Sequence, residues 1–378
     1  MAKTKKPDPA AMSPAEEARL EAEERARLAN SAKELIGCDN VLSKFDEAWE
    51  KIIAGEHKNA RLLYLAATSR LLLKCMSAAV KGPSGSGKSE LRKGVLRFIP
   101  DEDIVSLTTL SEKALLYFEG DFCHKIISMG EAAGTEEQEL QDYLLRELIS
   151  EGKLSYPVVQ KIGGELITVT IKKNGPVVFL VTTTKNALHP ENETRLLSLE
   201  VDDSQEQTKK VLSKVAQIIG MNAAKADIDF TPWHDFQRYL ARGNRKVVVP
   251  FAEKLATMIP PKSVRLRRDF SQILTATKAH ALLHRSHRDV NDRGEIVADI
   301  DHDYAVVAEL MGNIVAEASG TKISQTMQDT LSAVEKATKN LPEDPGATSD
   351  KVGKLMKLEA EQYCEHPGHY LLGRKKRL

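Results

Sequence analysis

The sequence predicts an α/β fold: a parallel sheet between helices, preceded by a helical segment and followed by a helical region. Three stretches support this. Gly82-Pro83-Ser84-Gly85-Ser86-Gly87-Lys88-Ser89 matches the pattern G-x-x-x-x-G-K-[ST], with apolar Ala78-Ala79-Val80 before it and a helical pattern from Ser89 to Leu96 after it. Val177-Val178-Phe179-Leu180-Val181 is an unbroken apolar run, as expected of a parallel strand covered on both faces. His124 to Glu131 reads as an apolar strand that ends in an acid.

Residues 1–31 are rich in Lys, Ala and Glu and predict a charged, flexible tail; Ser13 before Pro14-Ala15-Glu16-Glu17 is a good helix start within it. From Ala32 to Leu73 the pattern turns amphipathic. Leu35, Ile36, Val41, Leu42 and Phe45 mark one face, and Leu62, Leu63, Leu65 and Leu71 to Leu73 mark a more buried helix. This region is expected to pack on the following domain. In the loop, glycines let the backbone turn tightly and aim N–H groups at phosphate oxygens. Lys88 would reach the β- and γ-phosphates, the Ser89 hydroxyl would ligate Mg²⁺, and the helix opening at Lys88 would add its positive end. ATP and Mg²⁺ are therefore the expected cofactors; a Gly/Ser turn that happens to carry a lysine is the alternative.

Asp103 to Leu110 predicts a strand, and Glu136 to Ile149 an amphipathic helix with Leu140, Tyr143, Leu144 and Leu148 on one face. Leu154–Val159 and Leu166–Ile171 alternate apolar with polar around Gly163-Gly164, which signals a β-hairpin over about residues 153–175. Lys161 lies beside its tip and Lys172-Lys173 at the next turn. The apolar run from Val177 ends in Thr182-Thr183-Thr184, hydroxyls at the strand end that faces the ligand crevice of an α/β sheet. Arg195 precedes a further strand, Leu196 to Val201, and a charged helix spans Asp203 to Ile219. Pro232-Trp233-His234-Asp235 starts a helical segment, and Arg265, Arg267 and Arg268 open a helix through Leu283. Tyr304–Ala316 and Ile323–Ala337 are further helices, Leu341 to Gly346 is a turn, and a basic run, Arg374 to Arg377, follows Gly373.

Formal net charge is zero, so a nucleic-acid role needs a local basic surface. Cys38, Cys75, Cys123 and Cys364 form no C-x-x-C pair, which argues against a disulfide framework or zinc site and fits a reducing cytoplasm. The longest apolar run is far too short to span a bilayer, so no membrane role is expected.

The order of parts is specific: phosphate loop, acidic strand, helix, hairpin, polar strand end, arginine. It resembles the AAA+ ATPases that carry a hairpin before sensor 1, among them the minichromosome maintenance (MCM) helicases and, closer, the MCM-like or primase-associated ATPases of phages and integrative elements. The resemblance covers about residues 60–290. It implies an AAA+ P-loop NTPase with a core over 32–230 and a helical lid over 231–290, while the pattern of helices, the apolar Gly368-His369-Tyr370-Leu371-Leu372 and the basic tip that follows predicts a helical, winged-helix-like region over 291–378. Glu131 falls where the family's water-activating acid stands. Gly130 falls where a metal-supporting Asp is usual, which leaves Mg²⁺ to Ser89, the nucleotide and water.

Thr184, or Thr183, matches sensor 1, although MCM proteins prefer Asn there. Arg195 matches the arginine finger offered to a neighbouring subunit's ATP, with pairing to Glu191 or Glu193 as the alternative. Arg268 matches sensor 2, with Arg265 and Arg267 as fallbacks and a plain basic helix start as the alternative. The relatives' hairpins project into a central channel, which makes Lys161 and Lys172 or Lys173 candidate DNA contacts, or else ordinary surface lysines. The Arg374–Arg377 run is either a wing tip or a solvated tail. The implied protein is an ATP-driven DNA helicase or translocase. It works as a homo-oligomeric ring, hexamer favoured, in replication of a mobile element, with a primase as candidate partner. The alternatives are an AAA+ loader or regulator that remodels a protein, and a chain that binds nucleotide but barely hydrolyses it because of Gly130.

Overall fold

A computed structural model describes residues 13–107, 114–131, 139–184, 195–220, 228–258 and 265–318. Residues up to Gly312 form one compact unit; the described part of a second, from Asn313, is the end of one helix. The predicted helix at Ile323–Ala337, the turn at 341–346, the winged-helix-like end and the Arg374–Arg377 run lie outside the described residues.

Helix α1 spans Pro14–Ser31, capped by the Ser13 hydroxyl, which accepts from the Glu16 N–H at 3.3 Å. The sequence predicts a flexible tail here, but the last turn is docked. Leu28 is buried, and Arg27 donates to Asp235 at 3.2 Å. Short α2, Lys33–Ile36, leads to α3, Val41–Ile52, which opens on an Asn40 cap and buries Val41, Leu42, Phe45 and Trp49 along one face. Helix α4, His57–Thr68, is buried over nearly its whole length. These helices meet α9, Thr231–Arg242, through an aromatic cluster in which Phe45 stacks on Tyr64 and Phe98 meets Trp233 edge-on.

The central sheet has five strands in the order β2-β3-β6-β1-β7, and every pairing is parallel. They are β1 (Ser77–Lys81), β2 (Ile104–Leu107), β3 (Lys125–Glu131), β6 (Val177–Thr183) and β7 (Leu196–Glu200). β6 is buried at every position, as its continuous apolar run predicts. Helix α5, Lys88–Leu96, packs with α4 on one face. On the other, Leu115 and Leu116 of α6 (Ala114–Tyr117) and Leu144 and Leu148 of α7 (Glu139–Glu151) close over Ile127, Phe179 and Val181. Of the strand predicted to Leu110, residues 104–107 form β2 and 108–110 lie outside the described residues.

Strands β4 (Lys153–Ile162) and β5 (Glu165–Asn174) make a separate antiparallel hairpin in which Ile162 faces Glu165. Gly163 and Gly164 both take positive φ, 60° and 98°, the two-residue turn whose twist matches the strands. Only the base packs: Leu154 is buried, and Tyr156 and Ile171 lean on the core. After β7 come α8 (Gln205–Gly220), α9, α10 (Ala252–Met258), α11 (Leu266–Leu283) and α12 (Ala305–Ala318). Two-residue strands β8 (Val247–Val248) and β9 (Ile296–Val297) pair in parallel beside them. Among the described residues no helix is long and apolar enough to cross a membrane.

Candidate nucleotide site

The loop joins β1 to α5. Gly85 (φ 80°) and Gly87 (φ 88°) hold left-handed backbone, and Gly87 is the cap from which α5 starts. At Gly82 a Cβ would lie 2.4 Å from Val201 Cγ2 and 2.9 Å from Ser86 Oγ, so this position admits no side chain. The Pro83 carbonyl gathers the loop. It accepts from the Ser86 hydroxyl at 2.8 Å and from Lys88 Nζ at 2.5 Å. Lys88 is buried, whereas Ser89 and residues 83–85 are exposed. An anion arriving at the exposed N–H groups would take the ammonium from a neutral carbonyl, exchanging a neutral acceptor for a charged one. The residues fit an Mg²⁺-nucleotide: one exposed hydroxyl beside a phosphate cradle at a helix N-terminus.

β6 lies between the loop strand and the acidic strand. Lys81 is in register with Thr183, and Thr182 with Glu131. The pairing of β3 with β6 slips between Met129 and Glu131, so Gly130 is the extra residue of a β-bulge. Glu131 thereby moves into register at the strand end, the place at which the sequence alone leaves Gly130. Thr183 is fully buried, while Thr184, one residue further and level with the loop, is exposed. The loop, Glu131 and Thr184 therefore share one edge of the sheet.

Arg195 is not there. It precedes Leu196, which pairs with Ser77 at the start of β1, whereas the loop leaves from Lys81 at the other end. Five strand residues separate the two levels, about 17 Å at ~3.3 Å each. Its Nε donates to Ser150 Oγ at 2.8 Å, and its carbonyl accepts from Gln272 at 3.5 Å. Gln272 lies one turn along α11 from Arg268. Arg267 and Arg268 are exposed; Arg265 is half-buried and pairs with Asp269 at 3.5 Å. Glu191 and Glu193 lie outside the described residues.

The hairpin lysines separate. Lys161 is exposed, opposite Leu166 near the tip, and Lys172 is exposed at the base. Lys173 is corrected: it is buried, and its ammonium donates to the carbonyls of Phe118 and, at 2.7 Å, Gly120. A buried ammonium committed to two carbonyls holds the hairpin base and presents no charge to a phosphate.

Two features escape sequence reading. Glu56, in left-handed backbone, accepts from the Asp202 N–H at 2.6 Å and from Asn59 at 2.7 Å. Asn59 also bonds the Glu200 carbonyl, so the start of α4 is tied to the strand end beside Gly82. Burial raises the Glu56 pKa. Secondly, ligand atoms of His280, His284 and Asp303 lie within 4.8 Å of one another. They form an ion-pair network and do not read as a metal centre. Arg288 donates to both Asp303 oxygens and His280 contacts one at 2.7 Å. Both His284 nitrogens are engaged, Nδ1–H with the His280 carbonyl and Nε2 with the Val41 N–H.

Residues 27–229 match the MTBMA_p00010 P-loop domain, just over half of the chain. No curated protein matches it.

Proposed function

The chain belongs to the MTBMA_p00010 P-loop domain family, and from that premise we propose that it is an ATP-hydrolysing AAA+ motor, a DNA helicase or translocase acting as a ring. In this reading Lys88 and the loop N–H groups would hold the phosphates and Ser89 would hold Mg²⁺, which would supply charge neutralisation of the phosphates. Glu131 takes the proton of the attacking water, and Thr184 orients that water.

The observation that carries the reading is the split site. Lys88, Glu131 and Thr184 share one edge of the sheet, while Arg195 lies at the other, too far to serve its own ATP. An arginine so placed suits a neighbouring subunit's nucleotide, where a finger is worth roughly 10³ to 10⁵ in rate. The exposed hairpin with Lys161 suits a strand passing through such a ring. The MCM-like and mobile-element assignment rests on the resemblance in the order of the parts.

A second reading, a loader or regulator that remodels a protein, is favoured by one feature. Helix α8 leaves Val211, Leu212, Val215 and Ile219 exposed along one stripe, a surface suited to an apolar partner. ATP turnover with and without single-stranded DNA separates the two. The motor reading expects stimulation by DNA, with activity down at least about 100-fold in Lys88→Ala and Glu131→Gln. Robust turnover indifferent to every DNA substrate would sink it and leave the second reading standing.

A further inference from the structure

Arg92 lies one helical turn beyond Lys88 on α5, and both side chains are more than nine-tenths buried. Lys88 sits at the phosphate loop; among the described residues Arg92 meets no acid. Its Nη1 donates to the hydroxyl of Ser128 on β3, and its Nε is buried without a hydrogen-bond partner. Burial lowers its pKa, and among the described residues no carboxylate offsets that pull. A guanidinium with most of its surface withdrawn from water and one neutral hydroxyl as its partner is unfavourable, and replacing buried charge by an apolar chain of similar length is often neutral or stabilising. Folding alone therefore gives no reason for a cation here.

The register supplies one. Ser128 pairs with Leu180 and Glu131 with Thr182, so the bulge at Gly130 sets Glu131 two register steps above Ser128, about 7 Å along the same strand. Arg92 reaches β3 directly beneath the position of its only acid, in a chain that has Gly130 where a carboxylate would be expected. We propose that Arg92 is a positioning residue: its guanidinium sets the carboxylate of Glu131 at the strand end for hydrolysis and takes no part in holding the nucleotide. This rests on the ATPase reading above.

Single-turnover ATP hydrolysis and the Kd of a fluorescent ATP analogue test it in Arg92→Met. Hydrolysis is expected to fall about 100-fold, on the scale of losing one placed charge, while Kd moves less than about threefold and thermal stability does not fall. Arg92→Lys should regain at least about tenfold, because the charge is restored without the fork. Combining Arg92→Met with Glu131→Gln should be no slower than Glu131→Gln alone, since both act through one carboxylate. If Arg92→Met does not fold, Arg92→Gln, which keeps a donor for Ser128 without charge, is judged by the same criteria. The role is overturned if Arg92→Met hydrolyses like wild type, if Kd and hydrolysis worsen by the same factor, if Arg92→Lys does no better than Arg92→Met, or if the double variant loses further. Wild-type turnover that Lys88→Ala abolishes is the control. With it, an unchanged Arg92→Met defeats the positioning role alone, whereas inactive wild type defeats the ATPase reading as well.

Discussion

His284 is held neutral by its surroundings. Burial, aided by the charge of stacked His280, pulls its pKa down from 6.5 to about 3, and its Nε2 lone pair accepts the Val41 N–H that opens α3. The unfolded chain binds this proton near pH 6.5 and the folded chain near 3, so the stabilisation is complete above the higher value and is lost as pH falls through that window. Between pH 7 and 5 the loss is about 2 kcal/mol from this group. Asp303 does not contribute there. Burial works to raise its pKa, but hydrogen bonds from His280 and Arg288 outweigh it and bring it to about 2. Denaturant titrations at both pH values should show that drop in wild type and a drop smaller by about 2 kcal/mol in His284→Gln, whose amide oxygen can still accept from Val41. An equal drop in both would assign the dependence elsewhere. The same residue scale shows where the sequence was mute. Lys88 and Ser89 are legible because the loop is local, and Gly82 follows from the same pattern. Buried Lys173, Arg92 and His284 are not, since their partners at Gly120, Ser128 and Val41 stand 36 or more residues away.

Among the elements, β6 and the hairpin were readable for opposite reasons. One is apolar throughout and buried at every position; the other alternates, carries two glycines at its turn and stands largely in solvent. The docking of α1 was unreadable, because a helix polar nearly all round is anchored by its own Leu28 and by Arg27, which donates to Asp235 on α9. The bulge at Gly130 and the β8–β9 pair, strands about fifty residues apart, carry no local period at all. The hairpin's construction separates its lysines by role. Lys161→Ala should weaken single-stranded DNA binding, lower the slope of log K against log salt by about 1 and impair strand separation, without change in melting temperature. Lys173→Ala should instead cost about 1–3 kcal/mol of stability, because two buried carbonyls lose their donor. DNA titrations over a salt series and thermal melts of the two variants read both effects. A salt slope unmoved by Lys161→Ala would remove the hairpin from the DNA contact.

At the scale of the molecule, the parallel sheet decides what one chain can do alone. Strands running one way put the loop, Glu131 and Thr184 at their C-terminal ends and leave Arg195, which precedes β7, at the N-terminal end. No rotamer of a single arginine crosses five residues of strand, so if Arg195 serves catalysis it serves another chain's ATP, and the assembly is head-to-tail. A mixing experiment tests this directly. Lys88→Ala chains lack a working loop but retain Arg195; Arg195→Ala chains retain the loop but lack the finger. Each alone should be inactive, the second by roughly 10³ or more. Mixed in equal amounts at dilution, before nucleotide is added, random assembly pairs an intact loop with an intact finger at about a quarter of interfaces, and turnover should return to about that fraction of wild type. Native mass spectrometry of the same sample shows whether mixed assemblies form. If they form and activity stays at the level of the parents, Arg195 is no trans finger, and its bonds to Ser150 and Gln272 are its structural role.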